Sequence, residues 1–337
     1  MPDLIDVLSQ DTALQIRPDH PAPPPAPFLE ALLAGLSRPD KAIPCRFLYD
    51  AAGSKLFDAI CELPEYYPTR TEMALLRAHA PQMARRIGAN ARFIELGAGS
   101  GGKAEFLLDA LMAQGLPPAG YVCLDISPVP LAATAEAIEQ RYPHLAVTAV
   151  CGNYLGDVDL PPSTARDVCF FPGSTIGNFE RHEARAFLAQ WRQRLSHFDE
   201  RGAMMLIGVD LKKDVPTLER AYDDAQGVTA QFSLNVLTRA NRELGADFNI
   251  DQFRHRARFV HDPGHIEISL VSQSDQTVTV DGQRFHFAAG EALHIENSHK
   301  YSLSEFAALA ADAGFSVDTV WTDPRRWFSL NLLRAER

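Results

Sequence analysis

The chain has 337 residues, of which 46% are hydrophobic and 22% charged, a globular composition with room for one large α/β domain or two smaller ones. Its 43 acidic residues outnumber 32 basic ones, and the net charge of -11 repels phosphate backbones and argues against a nucleic-acid partner. No apolar run reaches the roughly 18 residues of a membrane helix, the start MPDLIDVLSQ lacks the regions of a signal peptide, and the 5 cysteines form no C-x-x-C pair, so a cytoplasmic chain with reduced, buried thiols is expected.

The first segment, RPDHPAPPPAPF (17–28), is proline-rich and predicts an extended arm over residues 1–27. A short helix, FLEALLAGL, follows. Thr69 and Glu72 have the S/T-x-x-E spacing of a capping box, which predicts a long helix starting near Arg70. Strands and helices then alternate: strand 93–96, helix 102–113, strand 121–127, and further apolar runs at 146–150, 167–171 and 203–210. Such runs suit a parallel, doubly wound sheet buried on both faces. After Asp210 the rhythm changes. Residues 215–245 read as helical, and 265–287 alternate and turn at Asp281–Gly282 as an antiparallel hairpin would. A helix at 302–315 and two final strands resume the first pattern.

The stretch RFIELGAGSGGKAEFLLDAL (92–111) concentrates glycine between a strand and a helix, at Gly97, Gly99, Gly101 and Gly102. Gly97, Gly99 and Gly102 fit the dinucleotide pattern G-x-G-x-x-G; with Glu95 they also fit E-x-G-x-G, a mark of methyltransferases that bind S-adenosylmethionine (SAM). A tight turn that binds nothing has the same outline. Three strand ends favour SAM. Asp125 can accept from ribose hydroxyls and lies farther from Gly97 than the roughly 20 residues of a dinucleotide site. Glu95 suits the positive methionine end of SAM and would repel a pyrophosphate. CGNY (151–154) offers Asn153 to the adenine amine and Tyr154 as a stacking face, although Asp125 also suits a helix N-cap and Asn153 a turn.

After the fourth strand comes FFPGSTIGNF (170–179), unlike the D/N-P-P-Y/F/W of enzymes that methylate DNA bases. Gly173 and Gly177 let a small substrate approach the backbone, and Asn178 can both donate and accept. The plain alternative is that Asn178 caps the following helix. His261, His265, His294 and His299 crowd one region, but without helical pairing or cysteine support no metal is expected.

CRFLYDAAGSKLFDAICELPEYYPTRTEMALL, FIELGAGSGGK, FPGSTIGN, RAYDDAQGVTAQFSLNVLTRANRELGADFNI and HIENSHKYS together resemble the L-histidine Nα-methyltransferases of ergothioneine biosynthesis. The resemblance runs from about Phe28 to the C-terminus and includes the insertion that generic methyltransferases lack. It implies a Rossmann-like class I methyltransferase sheet (71–212 and 301–337) with a second α+β domain from the N-terminal segment and the insertion (28–70 and 213–300). It also implies trimethylation of the α-amine of histidine to hercynine by three SAM molecules. A monomer without nucleic-acid or membrane partners is expected.

The glycine motif gives Glu95 and Gly99 to the SAM site, and the resemblance implies Gly97, Lys103, Asp125, Asn153 and Tyr154 there, with Lys103 near the methionine carboxylate. Tyr66, Asn178 and Tyr222 would hold the histidine carboxylate and amine, with Gly173 lining that pocket and Tyr49 close to the transferring methyl. Glu296 and Ser298 would bind the imidazole, and Ile268 would set the pocket's width. CGNY departs from the family's common Asp–Phe pair, and GAGSGGK carries glycines where Ser, Thr or Glu is commoner. Competing readings are a methyltransferase for another small amine, a nicotinamide oxidoreductase and a non-catalytic SAM-binding module.

Overall fold

The computed structural model describes residues 25–99, 102–195 and 202–336. The proline-rich arm lies outside them up to residue 24, as do Ser100 and Gly101; Pro25–Pro27 already belong to the first helix.

Helices α1 (Pro25–Leu36), α2 (Ala51–Glu62) and α3 (Tyr67–Ile87) precede the sheet. The predicted start near Arg70 is wrong by one turn. Pro68 at the second helical position has its φ preset for a helix, so α3 opens at Tyr67. The capping box is wrong too: the Thr69 hydroxyl donates to the Cys61 sulfur at 3.3 Å, and Glu72 points into the protein with 0% exposure.

The sheet is assembled from β1 (Ala91–Leu96), β2 (Gly120–Asp125), β3 (Val147–Cys151), β4 (Arg166–Phe171) and β5 (Met204–Asp210), joined by α4 (Lys103–Ala113), α5 (Pro128–Arg141) and α6 (Arg181–Arg194). The inserted segment contributes α7 (Val215–Tyr222), α8 (Val228–Leu244), β6 (Phe253–Val260), β7 (His265–Ser272), β8 (Gln276–Val280), β9 (Gln283–Phe287) and β10 (Ala292–His299). The chain ends with α9 (Leu303–Asp312), β11 (Phe315–Thr322) and β12 (Phe328–Ala335).

Seven strands form one sheet in the order β11-β12-β5-β4-β1-β2-β3. β1 to β5 pair in parallel, whereas β12 runs antiparallel between β5 and β11. Successive residues of a strand point to opposite faces. Phe93, Tyr121 and Phe170 therefore join one core with Leu107 and Leu131, while Ile94 and Phe171 join another with Phe187, Trp191 and Phe306. Neighbours β2 and β4 flank β1, and the order reverses there, so the carboxyl ends of these strands border a crevice.

A third core gathers Phe28, Leu32, Ile43, Leu218, Val236, Ile268 and Leu293 around the antiparallel sheet β10-β7-β6. The stretch read as one hairpin is divided. β7 pairs with β6 and β10, and only β8 and β9 form the hairpin, through Asp281 (φ 47°) and Gly282 (φ 74°). The stretch read as helical over 215–245 breaks at Asp224, whose carboxylate takes the amides of Val228 (3.0 Å) and Thr229 (2.8 Å) and starts α8. The insertion returns to the sheet beside its point of departure: Tyr301 N–H donates to Asp210 O, and Lys212 N–H to Tyr301 O. Among the described residues no helix is long and apolar enough to cross a membrane.

Candidate active site

The amides of Gly97 and Ala98 donate to Leu124 O at 2.8 and 3.1 Å, folding the glycine loop over the end of β2. Asp125 then holds it: one carboxylate oxygen takes the Gly99 amide at 3.0 Å and the other takes the Ser127 amide at 2.9 Å. Burial raises the Asp125 pKa, and these amides oppose the rise. Gly97 (φ 70°) has a conformation that a side chain rarely adopts, and a Cβ there would stand 3.8 Å from the Tyr154 ring. The loop, Asp125 and Tyr154 thus surround a cradle with a bare backbone floor. That geometry fits a nucleoside, with Asp125 free to accept further hydrogen bonds. Asn153 is exposed, and its carbonyl accepts the Leu155 amide at 3.0 Å, the turn role that its type allows.

Glu95 lies lower, behind the loop. It hydrogen-bonds the Tyr121 hydroxyl and lines a cavity of about 210 Å³ between α4 and α5. Burial pushes its carboxyl up to about 7, against the opposing Tyr121 bond.

Lys103 opens α4 and reaches Glu72 of α3 at 2.8 Å. Burial works against its charge, but Glu72 outweighs burial and the pKa rises. The same carboxylate accepts the Gly173 amide, at 2.9 and 3.0 Å from its two oxygens. Glu72 therefore ties α3, the glycine-loop helix and the loop after β4 together. Gly208 of β5 makes room for it, since a Cβ there would stand 2.2 Å from Glu72 Oε1.

The second half of the site faces this one. Tyr66 and Tyr222 meet edge to face with centroids 5.9 Å apart, and Tyr49 lies edge-on to Phe57 (5.5 Å) and Phe232 (5.4 Å). On β10, Glu296 stands opposite Ile268 and Ser298 opposite Ile266, after an irregularity in register between His294 and Glu296. Two residues apart, Glu296 and Ser298 share a face. Glu296 is 8% exposed and has no hydrogen bond or ion pair with the described residues. Burial pushes its carboxyl up to about 7, while Lys300 pulls the other way. Burial, followed by Tyr222 for Tyr66 and by Glu296 for Tyr49, keeps both phenols well above their ordinary pKa and hence neutral.

Tyr222 and Ser298 hydroxyls lie 2.9 Å apart, and the Lys300 ammonium donates to each at 2.7 Å. Lys300 pairs with Asp210 at 2.8 Å; Asp210 also pairs with Lys213 at 2.5 Å and accepts from the Tyr67 hydroxyl. Burial raises the Asp210 pKa, but the two ammonium groups dominate and hold it below the ordinary value. Gly173 (φ 80°) begins the loop that carries Asn178 in a short 3-10 turn (Thr175–Asn178). Asn178 does not cap α6. Glu180 and Glu183 form that capping box, and the Asn178 side chain has no hydrogen bond to the described residues.

The His265 and His299 rings lie 4.8 Å apart, tilted by 38°, His299 lies 3.5 Å from Glu180, and His294 bonds Asn297 at 2.9 Å. Among the described residues no group of His, Cys, Asp or Glu has a metal-binding arrangement. The sequence reading missed Glu72, Tyr67, Asp210 and Lys300. Glu72, Tyr67 and Lys300 lay in the motifs that carry the resemblance, and Asp210 ended an apolar run, but nothing local marked their burial.

Five parallel strands with an antiparallel β12 inserted beside β5, a glycine loop after β1 and an acid ending β2 define a Rossmann-like, SAM-dependent methyltransferase of class I. The chain belongs to the family of histidine-specific, SAM-dependent methyltransferases, whose model matches residues 28–335. It is similar to the histidine N-alpha-methyltransferase of Mycolicibacterium smegmatis, at 40% identity over 301 residues, 89% of this chain and 92% of the other. The histidine N-alpha-methyltransferase of Mycobacterium tuberculosis matches at the same 40% identity, with 89% and 92% coverage. Ergothioneine biosynthesis protein 1 of Neurospora crassa is 33% identical over 304 residues, 88% of this chain but 33% of that longer protein.

Proposed function

We propose that this protein transfers three methyl groups from SAM to the α-amine of L-histidine, forming hercynine as the first step of ergothioneine biosynthesis. One observation carries the choice of substrate: Glu296, buried and unpartnered among the described residues, beside Ser298 and opposite Ile268. A buried carboxylate without a partner is costly, and an imidazole N–H supplies one.

The donor's sulfonium supplies an already activated methyl group. The chain binds, orients and excludes water. Gly97, Gly99, Asp125, Asn153 and Tyr154 hold the nucleoside, and Lys103, with Glu95 behind the loop, serves the methionine end. Tyr66 and Asn178 hold the carboxylate of histidine against Gly173, and Tyr222 accepts from its amine. Tyr49, a neutral phenol, borders the transferring methyl. Ile268 limits the width of the imidazole pocket. The substrate-side residues come from 28–70 and 213–300, except Gly173 and Asn178, so these segments work as a substrate domain over a SAM domain. The reaction needs no metal, and we infer a cytoplasmic monomer acting on the free amino acid.

Mass spectrometry of histidine incubated with the protein and SAM tests this. A trimethylated product is expected, and unmodified histidine with another amine methylated instead would overturn the assignment.

A further inference from the structure

Lys300 follows β10 and is 0% exposed. Its ammonium has three hydrogens and three partners: Asp210 at 2.8 Å, Tyr222 at 2.7 Å and Ser298 at 2.7 Å. None is left for a ligand. Burial disfavours the charge, but Asp210 outweighs it and keeps the group an ammonium.

The polarity of the two hydroxyls follows. Each accepts from Lys300, so neither can donate along that line. They lie 2.9 Å apart, so one of their two hydrogens lies between them. One hydrogen remains for a ligand. Glu296, on the same face of β10, offers only acceptors when ionised. A neutral imidazole carries one N–H and one bare nitrogen, and that pairing matches.

We propose that Lys300 is a positioning residue for the substrate's imidazole: by donating to both Tyr222 and Ser298 it leaves this pair a single hydrogen for the ring nitrogen that Glu296 does not take. The inference rests on the histidine reading above. Without the ammonium the hydroxyls rotate freely and the fixed donor is lost. A ring with no acceptor nitrogen leaves that hydrogen unpaired, so the same device discriminates against other aromatic amino acids.

The test compares Lys300→Met in the parent protein and in a Ser298→Ala background. Histidine affinity is measured by calorimetry with S-adenosylhomocysteine present, alongside the KM and kcat of methylation. Asp210 keeps Lys213 and Tyr67 in the variant, so its charge is not orphaned. In the parent, Lys300→Met should weaken histidine binding about tenfold, the worth of one oriented hydrogen bond. The loss should fall on KM, with S-adenosylhomocysteine affinity unchanged. In the Ser298→Ala background the further loss should be smaller, because the hydroxyl pair that Lys300 orients is already broken and only Tyr222 is left to it. Lys300→Gln, which keeps neutral N–H donors, should recover part of the affinity. It also carries the same comparison if the methionine variant fails to fold.

Equal losses in both backgrounds, or no loss in either, would overturn the positioning role while leaving histidine as substrate. A wild-type protein that binds no histidine would overturn both readings at once.

Discussion

The Gly99 amide donates to the Asp125 carboxylate at 3.0 Å, so the residue that ends β2 also fixes the loop that follows β1. Removal of the side chain costs two things: the acceptor for the ribose hydroxyls and the tie that shapes the loop. Asp125→Ala should weaken SAM about ten- to hundredfold, from a charged hydrogen bond worth roughly 1.5–3 kcal/mol. Asp125→Asn keeps one acceptor oxygen and should lose less. Calorimetry with unchanged SAM affinity in the alanine variant would sink this placement.

Glu72 predicts a structural effect. Glu72→Ala leaves the Lys103 ammonium without its carboxylate and the Gly173 amide without its acceptor. Breaking a buried pair from one side costs about 3–5 kcal/mol. The Lys103 side chain is 18% exposed, so the lower end, roughly 3 kcal/mol, is expected. Adding Lys103→Met should restore part of the loss by removing the orphaned charge. Urea unfolding measures both, and a double variant less stable than Glu72→Ala would contradict the pairing.

This residue also marks the limit of what a sequence displays. The runs that became β1 to β5 were legible because both faces of their sheet are buried, which leaves continuous apolar segments. Thr69 and Glu72 showed a local spacing with two meanings, a helix start or two residues within a helix. The partners that decide between them, Lys103 and Gly173, lie 31 and 101 residues away from Glu72. Lys300 is the same case, since its partner Asp210 belongs to another strand and sheet. Tyr66, Tyr222, Glu296 and Ser298 became legible only through the family resemblance. Alternation alone does not separate a buried Glu296 from a solvated one.

Glu296 makes the free protein's stability depend on pH. Its folded pKa, about 7, lies above the ordinary 4.5 because burial disfavours the charge. A raised carboxyl favours the folded state at low pH, and that advantage is lost as pH rises from about 4.5 through 7. Glu296→Gln removes the titration. Relative to wild type, the variant should gain on the order of 2–3 kcal/mol between pH 5 and pH 8. Denaturation at the two pH values checks this; a gap that shrinks with rising pH would show that Glu296 is paired in solution. The same variant should bind histidine more weakly, since a neutral amide is a poorer acceptor than a carboxylate.

The number of methyl groups added gives the last test. Transfer requires a neutral amine, yet a free α-amine with a pKa of about 8 is mostly protonated at neutral pH. Lys103 and Lys213 are engaged with Glu72 and Asp210, and Tyr49 stays a neutral phenol, so none of these is a free base. The proton must leave through water or through a hydroxyl that accepts and donates together, as Tyr49 can. Each transfer removes one N–H and adds bulk, so the pocket must keep its grip on other parts of the substrate. Glu296 and Ser298 hold the ring, and Asn178, free of the cap on α6, can still donate to the carboxylate when the nitrogen has no hydrogen left. The reaction should then pass through mono- and dimethylhistidine and stop at three, where the nitrogen has no lone pair. Time-resolved mass spectrometry should show both intermediates rising and being consumed. Monomethylhistidine accumulating alone, with dimethylhistidine inert when supplied, would refute the betaine product and leave a single-transfer enzyme.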